Sequence, residues 1–160
     1  MLFRSRASRI RCLCRLSARL GLFHFHQLFL MKIEKTEAEL KRRGNADASA
    51  FGKRLAAARQ AFVEVVEYIV AQSASNPNAA YAGSVPYLML SGNLMAGWQM
   101  GRALLAAQDQ MAAGDDTEFM QAKIATCRFY ADHILARVPG LRDGIVEGAD
   151  SVTAMALEAF

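Results

Sequence analysis

The stretch from Asn76 to Gly114, NPNAAYAGSVPYLMLSGNLMAGWQMGRALLAAQDQMAAG, is the most apolar and least charged part of the 160-residue chain. It carries one arginine, one aspartate and no other charged side chain. Pro86 cannot lie inside an unbroken helix, because it lacks an amide donor and clashes with the preceding turn. The stretch therefore predicts a short helix over about 78–83 and a long helix that starts at 84–86 and runs to 113. We expect the rest of the fold to pack around the long helix.

Three glycines, Gly92, Gly97 and Gly101, lie inside that predicted long helix. Each costs about 1 kcal/mol relative to alanine, so three in one helix indicate that a neighbour comes close to it. Gly97 and Gly101 share a face, with Trp98 beside them. One interpretation is tight helix packing within the domain. The other is an interface with another subunit or domain, which the apolar residues on nearly all faces favour. Gly97, Trp98 and Gly101 are therefore the candidate interface residues.

The segments on either side of this stretch also have helical periodicity. Residues 46–73 carry an apolar stripe at three- and four-residue steps, made of Phe51, Leu55, Ala58, Phe62, Val65, Val66 and Ile69. Asn45 or Asp47 can cap the start of that helix. The sequence thus predicts an all-α fold, an antiparallel bundle of three long helices at about 46–73, 85–113 and 115–138 with additional short helices.

The boundaries of the third long helix come from turn and capping residues. Gly114 is a typical residue to end the preceding helix in a left-handed conformation. Asp115 with Glu118 resembles a capping box, which predicts a helix start there. Pro139–Gly140 is expected to end this helix, and short amphipathic pieces follow.

The positive charge of the chain is concentrated at its N-terminus. Residues 1–32 carry seven Lys or Arg and no Asp or Glu, so residues 33–160 hold 12 basic and 15 acidic residues, a net of −3. Nucleic-acid binding needs basic residues clustered on the folded part, which this distribution excludes. We expect residues 1–33 to lie outside the fold, 34–45 to be a charged linker or helix, and 46–160 to be the domain.

Three interpretations of the N-terminal segment stay open. It is Arg-rich and acid-free, as a basic amphipathic presequence is. A membrane-surface helix is another possibility, through residues 1–31, although the apolar run from Leu20 to Met31 is too short to span a bilayer. The third, which we favour, is that the segment is not native to the fold, and that Met31 lies nearer the true start.

Reactive side chains are scarce. The three cysteines, Cys12, Cys14 and Cys127, match no zinc pattern and predict reduced thiols in a cytoplasmic protein. Cys127 should fill a helix face as a small apolar side chain. His24 and His26, two residues apart, lack a third metal ligand, and His133 is expected to be structural. There is no glycine-rich phosphate loop, nucleophile–base set or carboxylate pair, so we predict no catalytic, cofactor or metal residue in this chain.

Three sequence strings resemble a known family. They are NPNAAYAGSVPYLMLSGNLMAGWQMGRALLAAQ (76–108), AKIATCRFYADHILARV (122–138) and EGADSV (147–152). The pattern combines Pro-Tyr entering a helix, a central Gly-Trp, an Ala-Lys-x-Ala-x-x-Arg-Phe-Tyr run and a Gly-Ala-Asp-Ser ending. It resembles the C-terminal helical extension of a subgroup of acyl-CoA dehydrogenases that includes enzymes acting on 3-methylmercaptopropionyl-CoA. The likeness covers about two thirds of the chain and leaves residues 1–33 out.

The resemblance implies a role in a larger flavoenzyme. In that family a glutamate removes the α-proton of an acyl-CoA and the β-hydride passes to FAD. The family's glutamate stands in a Tyr-Glu-Gly-Thr-type turn that this sequence lacks, since its one Glu-Gly pair, Glu147–Gly148, stands between Val146 and Ala149. The resemblance thus implies a detached or truncated C-terminal domain, with FAD held by the parent enzyme and with its catalytic domain or a second copy as partner. The alternative is a stand-alone helical module that self-associates through the Gly97–Gly101 helix.

Overall fold

The structure, a computed structural model, describes the backbone of residues 22–154, and the side chains of 26–152 and 154. These residues form helices and turns and contain no strand, which confirms the predicted all-α class. We number the α-helices in chain order: α1 Leu22–Arg43, α2 Ala46–Ser75, α3 Pro77–Ala82, α4 Ser84–Ala112, α5 Thr117–His133, α6 Val138–Val146 and α7 Ala149–Thr153. A 3-10 helix, Leu135–Arg137, joins α5 to α6. Residues 1–21 are outside the described part of the chain, so the three interpretations of the N-terminal segment remain predictions there.

The chain divides into two units within α1, Met1–Lys35 and Thr36–Phe160. The described part of the first unit, Leu22–Lys35, is helical throughout. The charged segment 34–45 is mostly the C-terminal part of the same helix. The domain assignments made from the sequence, with residues 1–33 outside the fold, stay predictions.

Side-chain caps and a proline define the starts of α2 and α3. The Asn45 side chain accepts a hydrogen bond of 2.9 Å from the backbone N–H of Ala48 at the start of α2. The Asn76 side chain does the same for Ala79, and Pro77 occupies the first turn of α3, where its missing N–H is not needed. The chain therefore turns from α2 into α3 within one residue, Asn76, so α2 is two residues longer than predicted and α3 begins one residue earlier.

The core of the second unit lies between α2, α4, α5 and the segment that follows α5. Its large fully buried side chains come from the C-terminal part of α1, the apolar stripe predicted for α2, one side of α4, α5 and α6, and the 3-10 helix. They are Leu40, Phe51, Leu55, Val65, Leu90, Leu94, Leu104, Cys127, Leu135, Val138 and Ile145. This confirms that α4 is a central element, but only one of its faces points into the core.

The third long helix differs from the prediction at both ends. Asp116, at φ 34°, is the N-cap of α5 and accepts the Phe119 N–H at 3.4 Å, so the cap predicted at Asp115 is one residue too early. Gly114, at φ 85°, has the predicted left-handed conformation. The α5 helix ends at His133 rather than 138, and Pro139 lies in the first turn of α6. Proline is compatible with a first turn, so here it begins a helix instead of ending one.

The C-terminal part of α1 is joined to α2 and α4 by polar contacts. Arg59 of α2 donates to both carboxylate oxygens of Glu37, at 2.8 and 3.0 Å. Near the end of α1, Arg43 forms an ion pair with Asp109 of α4 at 2.6 Å. Both pairs lie inside the second unit, so the charged segment that precedes α2 is part of its packing.

Candidate functional site

The face of α4 that carries Gly97 and Gly101 is filled by the chain itself. Both glycines are buried. A Cβ atom added at Gly97 would lie 2.5 Å from Leu135 Cδ2, and one added at Gly101 would lie 3.1 Å from Phe51 Cε1. The first distance is shorter than real Cβ contacts and the second is tighter than most of them, so α4 packs closely against its neighbours at these two glycines.

Trp98, the third predicted interface residue, also makes contacts within the chain. Its Nε1 donates a 3.0 Å hydrogen bond to the Thr36 hydroxyl of α1, and the Arg102 guanidinium lies over its ring at 5.4 Å. Gly97, Trp98 and Gly101 thus pack α4 against its neighbours in the chain. The self-association alternative needs the two glycines at the surface, and this placement does not support it.

The opposite face of α4 is apolar and exposed. Val85 is 67% exposed, Leu88 71%, Met89 57% and Met95 44%. Gly92 lies among them at three- and four-residue steps, and no atom lies within 4 Å of a Cβ built on it. We define the outer face of α4 as Val85, Leu88, Met89, Gly92, Met95 and Ala96. Such a contiguous exposed apolar stripe is typical of a surface that another molecule covers.

No charged residue interrupts the outer face. The α4 sequence has no Asp, Glu, Lys or Arg from Ser84 to Gly101. In α3, the helix before α4 in the chain, Tyr81 is 73% exposed. Of the two interpretations of Gly97 and Gly101, their burial agrees with tight packing within the chain, and the sequence alone did not separate the two faces because α4 is apolar on nearly all sides. The spacing of Gly92 from Leu88 and Met95 could have identified this second stripe.

A groove of about 490 Å³ lies between α2, α4 and α5. Its lining residues are Asp47, Met111, Gln121, Ile124, Ala125 and Arg128. The Arg128 guanidinium is bound by Asp132 at 2.8 Å and by Asp47 at 3.3 Å. These carboxylates hold the pKa of Arg128 above its ordinary value and neutralise its charge. The one arginine among these lining residues is therefore already paired within the chain.

The two potentially reactive side chains of α5 are in structural positions. Cys127 is fully buried, which confirms its predicted packing role, and burial raises the pKa of its thiol despite the opposing effect of Lys123. His133 is exposed and its ring lies 4.5 Å from that of Phe129. Within residues 22–154, no three His, Cys, Asp or Glu side chains come together as metal ligands would. In the same part of the chain, no helix has the length and apolar character needed to cross a membrane.

Comparisons with known proteins agree on one family. The family model described as "Acetyl-CoA dehydrogenase C-terminal like" matches residues 29–156. A 3-methylmercaptopropionyl-CoA dehydrogenase of Ruegeria pomeroyi is 43% identical over 129 residues, which is 81% of this chain and 22% of that protein. The broad-specificity linear acyl-CoA dehydrogenase FadE5 of Mycobacterium tuberculosis is 35% identical over 72 residues, 43% of this chain and 12% of that protein.

The matched region begins in α1 and extends past α7. The chain spans about a fifth of the length of the first of these relatives and less of the second. No solved structure matches it.

Proposed function

The chain belongs to the acetyl-CoA dehydrogenase C-terminal-like family, and from this we propose that it serves as the C-terminal helical domain of an FAD-dependent acyl-CoA dehydrogenase. Its role would be structural, in the assembly of an enzyme that oxidises acyl-CoA thioesters. The observation that carries the proposal is the match to residues 29–156 of a chain that covers only 22% of its relative. The remaining length of such an enzyme has room for the flavin-binding and catalytic domains.

The state of Glu147 supports a non-catalytic role. This residue belongs to the single Glu-Gly pair of the sequence, the nearest likeness to the family's glutamate turn. Its carboxylate accepts a hydrogen bond of 2.6 Å from Arg142, which also binds Glu64 of α2 at 2.7 Å. Glu147 therefore belongs to an ion-pair network that Arg142 of α6 makes with α2. Proton removal and FAD binding would therefore belong to the parent enzyme.

We expect the domain to pack against the rest of the parent enzyme through the outer face of α4. It is apolar and uncharged, as the cores of subunit and domain interfaces are. In the parent enzyme it would be covered by the catalytic domain or by a second copy of this domain. The second candidate function, a stand-alone helical module in the cytoplasm, uses the same surface but needs no flavin partner.

An exchange of domains tests the proposal. In the Ruegeria pomeroyi enzyme, the segment matched by this chain would be replaced with residues 29–156. We expect the chimera to keep its flavin absorbance and to oxidise 3-methylmercaptopropionyl-CoA. The matched control is the same enzyme with the segment deleted, which should lose stability and activity. A soluble chimera that behaves like the deleted enzyme would contradict the proposal.

The isolated chain provides a second test. Purified residues 1–160 should show no flavin absorbance after incubation with FAD, because the groove beside Arg128 offers no unpaired cation. The chain should also not oxidise an acyl-CoA in the presence of an electron acceptor. Turnover by the isolated chain would show that catalysis does not depend on a parent enzyme.

A further inference from the structure

We propose that Thr36 is a positioning residue, which fixes where the C-terminal half of α1 docks on α2 and α4 by accepting a hydrogen bond from Trp98. We define this docked half, Thr36–Arg43, as the α1 strap. The family match begins at residue 29, within α1, so the strap belongs to the matched region. The contact lies inside this chain, and the role of Thr36 therefore does not depend on the proposed function.

Two glycines on different helices form the place where the strap docks. Leu40 of the strap is fully buried, and its Cβ lies 3.5 Å from a Cβ built on Gly52 of α2. Its Cδ1 lies 3.6 Å from a Cβ built on Gly101 of α4. One apolar side chain of α1 thus lies against both helices, at positions where neither helix has a side chain of its own.

A polar group lies inside this apolar contact. Of the residues whose side chains the structure describes, only Thr36 is buried and carries a hydroxyl, amide or charged group. It precedes Leu40 by one helical turn on the same face of α1. Its hydroxyl accepts the 3.0 Å hydrogen bond from Trp98 Nε1, while its Cγ2 methyl lies 3.5 Å from a Cβ built on Gly101. A satisfied polar group in an apolar contact specifies one arrangement, whereas apolar contacts alone tolerate several.

The order of residues in α1 shows what this hydrogen bond excludes. A shift of α1 along its axis by one turn, which is three or four residues, would bring Ile33 or Leu40 to the place of Thr36. Both side chains are apolar and would suit an apolar contact, but neither can accept a hydrogen bond from the indole. Loss of the acceptor of a buried donor is unfavourable, so Thr36 selects one position of the strap.

Two ion pairs of the strap agree with this position but do not define it as closely. Glu37 pairs with Arg59 of α2 at 2.8 Å, and the two side chains are 15% and 22% exposed. Arg43 pairs with Asp109 of α4 at 2.6 Å. Arginine has many rotamers and can follow a small shift of the helix. The hydroxyl of Thr36 is held next to the backbone on a branched side chain and cannot.

Nuclear magnetic resonance of the full 160-residue chain tests this role at the indole of Trp98. The chain has a single tryptophan, so its Nε1–H gives one resonance. Thr36→Val removes the acceptor, and it should move this resonance upfield and speed exchange of the indole proton with solvent by about tenfold. Thr36→Ser keeps the hydroxyl and should keep the wild-type resonance. Thr126→Val is the matched control, because the exposed Thr126 hydroxyl bonds the Ala122 carbonyl of its own helix and should leave the indole unchanged.

Backbone hydrogen exchange measures the docking of the strap itself. Thr36→Val should speed exchange of the amides over 36–43 by about tenfold, with unchanged rates in α5 and α6. Trp98→Phe removes the donor and should speed exchange of the same amides. Adding Thr36→Val to Trp98→Phe should then have little further effect, because both substitutions break the same hydrogen bond.

Three results would overturn the inference. One is a Thr36→Val chain whose indole resonance and strap exchange equal those of the wild type. Another is a full additional effect of Thr36→Val in the Trp98→Phe chain, which would show that the two residues act independently. The third is an equal rise of exchange in the strap, α5 and α6, because a general loss of stability would then explain the change.

Discussion

The two faces of α4 are similar in composition and opposite in environment. The inner face holds Leu90, Leu94 and Leu104, all fully buried, and its glycines touch side chains of the same chain. The outer face holds aliphatic and methionine side chains that are 44% to 71% exposed, and a Cβ built on its glycine would meet no atom of a neighbouring element within 4 Å. A helix face can therefore be apolar either because it packs into the core of its own chain or because another molecule covers it. Only the residues that contact the face in the folded structure distinguish these two cases.

The largest difference between the faces should come from truncating one leucine on each. Leu94→Ala removes a fully buried side chain and should lower the free energy of unfolding by about 2–5 kcal/mol. Leu88→Ala is the matched control on the outer face, where a change within about 0.5 kcal/mol is expected. Urea unfolding in dilute solution, followed by circular dichroism, measures both. Similar losses for the two variants would mean that the outer face is also covered within the chain.

The glycines should respond to alanine with opposite signs. At Gly97 the new methyl group would meet three side-chain carbons of Leu135, which is fully buried, so any shift of this leucine disturbs the core. Overpacking costs about 1–3 kcal/mol, more than the gain in helix propensity, so Gly97→Ala should lower stability by about 1 kcal/mol. Gly92→Ala meets no atom in the monomer and should raise stability by up to about 1 kcal/mol. Thermal unfolding of both variants in dilute solution measures these changes in stability. If both substitutions changed the melting temperature in the same direction, the proposed difference between the two faces would be contradicted.

Burial also matters on α5, where the fully buried Cys127 should make a smaller, pH-dependent contribution to the free energy of unfolding. Burial raises the pKa of Cys127 in the folded chain above its unfolded value. The protonated thiol therefore contributes stability that is fully present below the unfolded pKa, about 8.5, and is lost as the pH rises above it. We expect stability to fall more steeply for the wild type than for Cys127→Ala above about pH 8.5. Urea unfolding at pH 7 and pH 10 measures the difference, and parallel losses would show that the thiol does not titrate differently on folding.

The sequence correctly predicted the parts of the fold that depend on a capping residue, a turn residue or a regular apolar pattern. Asn45 caps α2 and Gly114 marks the exit from α4. Five of the seven residues predicted for the apolar stripe of α2 lie in the core, and the other two, Val66 and Ile69, are half-buried. Each of these rests on contacts within a few residues. The resemblance in the motif strings also led to the family that the comparisons confirm.

The predictions from sequence were wrong where the same residue type is compatible with two different local structures. Pro139 was expected to stop a helix, but proline is equally compatible with a first turn, and the choice depends on how the segment after α5 packs on α2. Asp115 and Asp116 are neighbours of the same chemistry, so backbone conformation decides which one caps α5. The choice between packing and an interface for Gly97 and Gly101 stayed open because their neighbours, Leu135 and Phe51, lie far away in the sequence.

The most direct test of the central claim, that the outer face of α4 is covered in an assembled enzyme, is hydroxyl-radical oxidation of Met89 and Met95 read by mass spectrometry. Both are exposed in this chain. The measurement compares the chain at a concentration where it is monomeric with the domain-exchange chimera. We predict rapid oxidation of both methionines in the monomer and protection of both in the chimera. Equal oxidation in a chimera that holds FAD and turns over would contradict the claim.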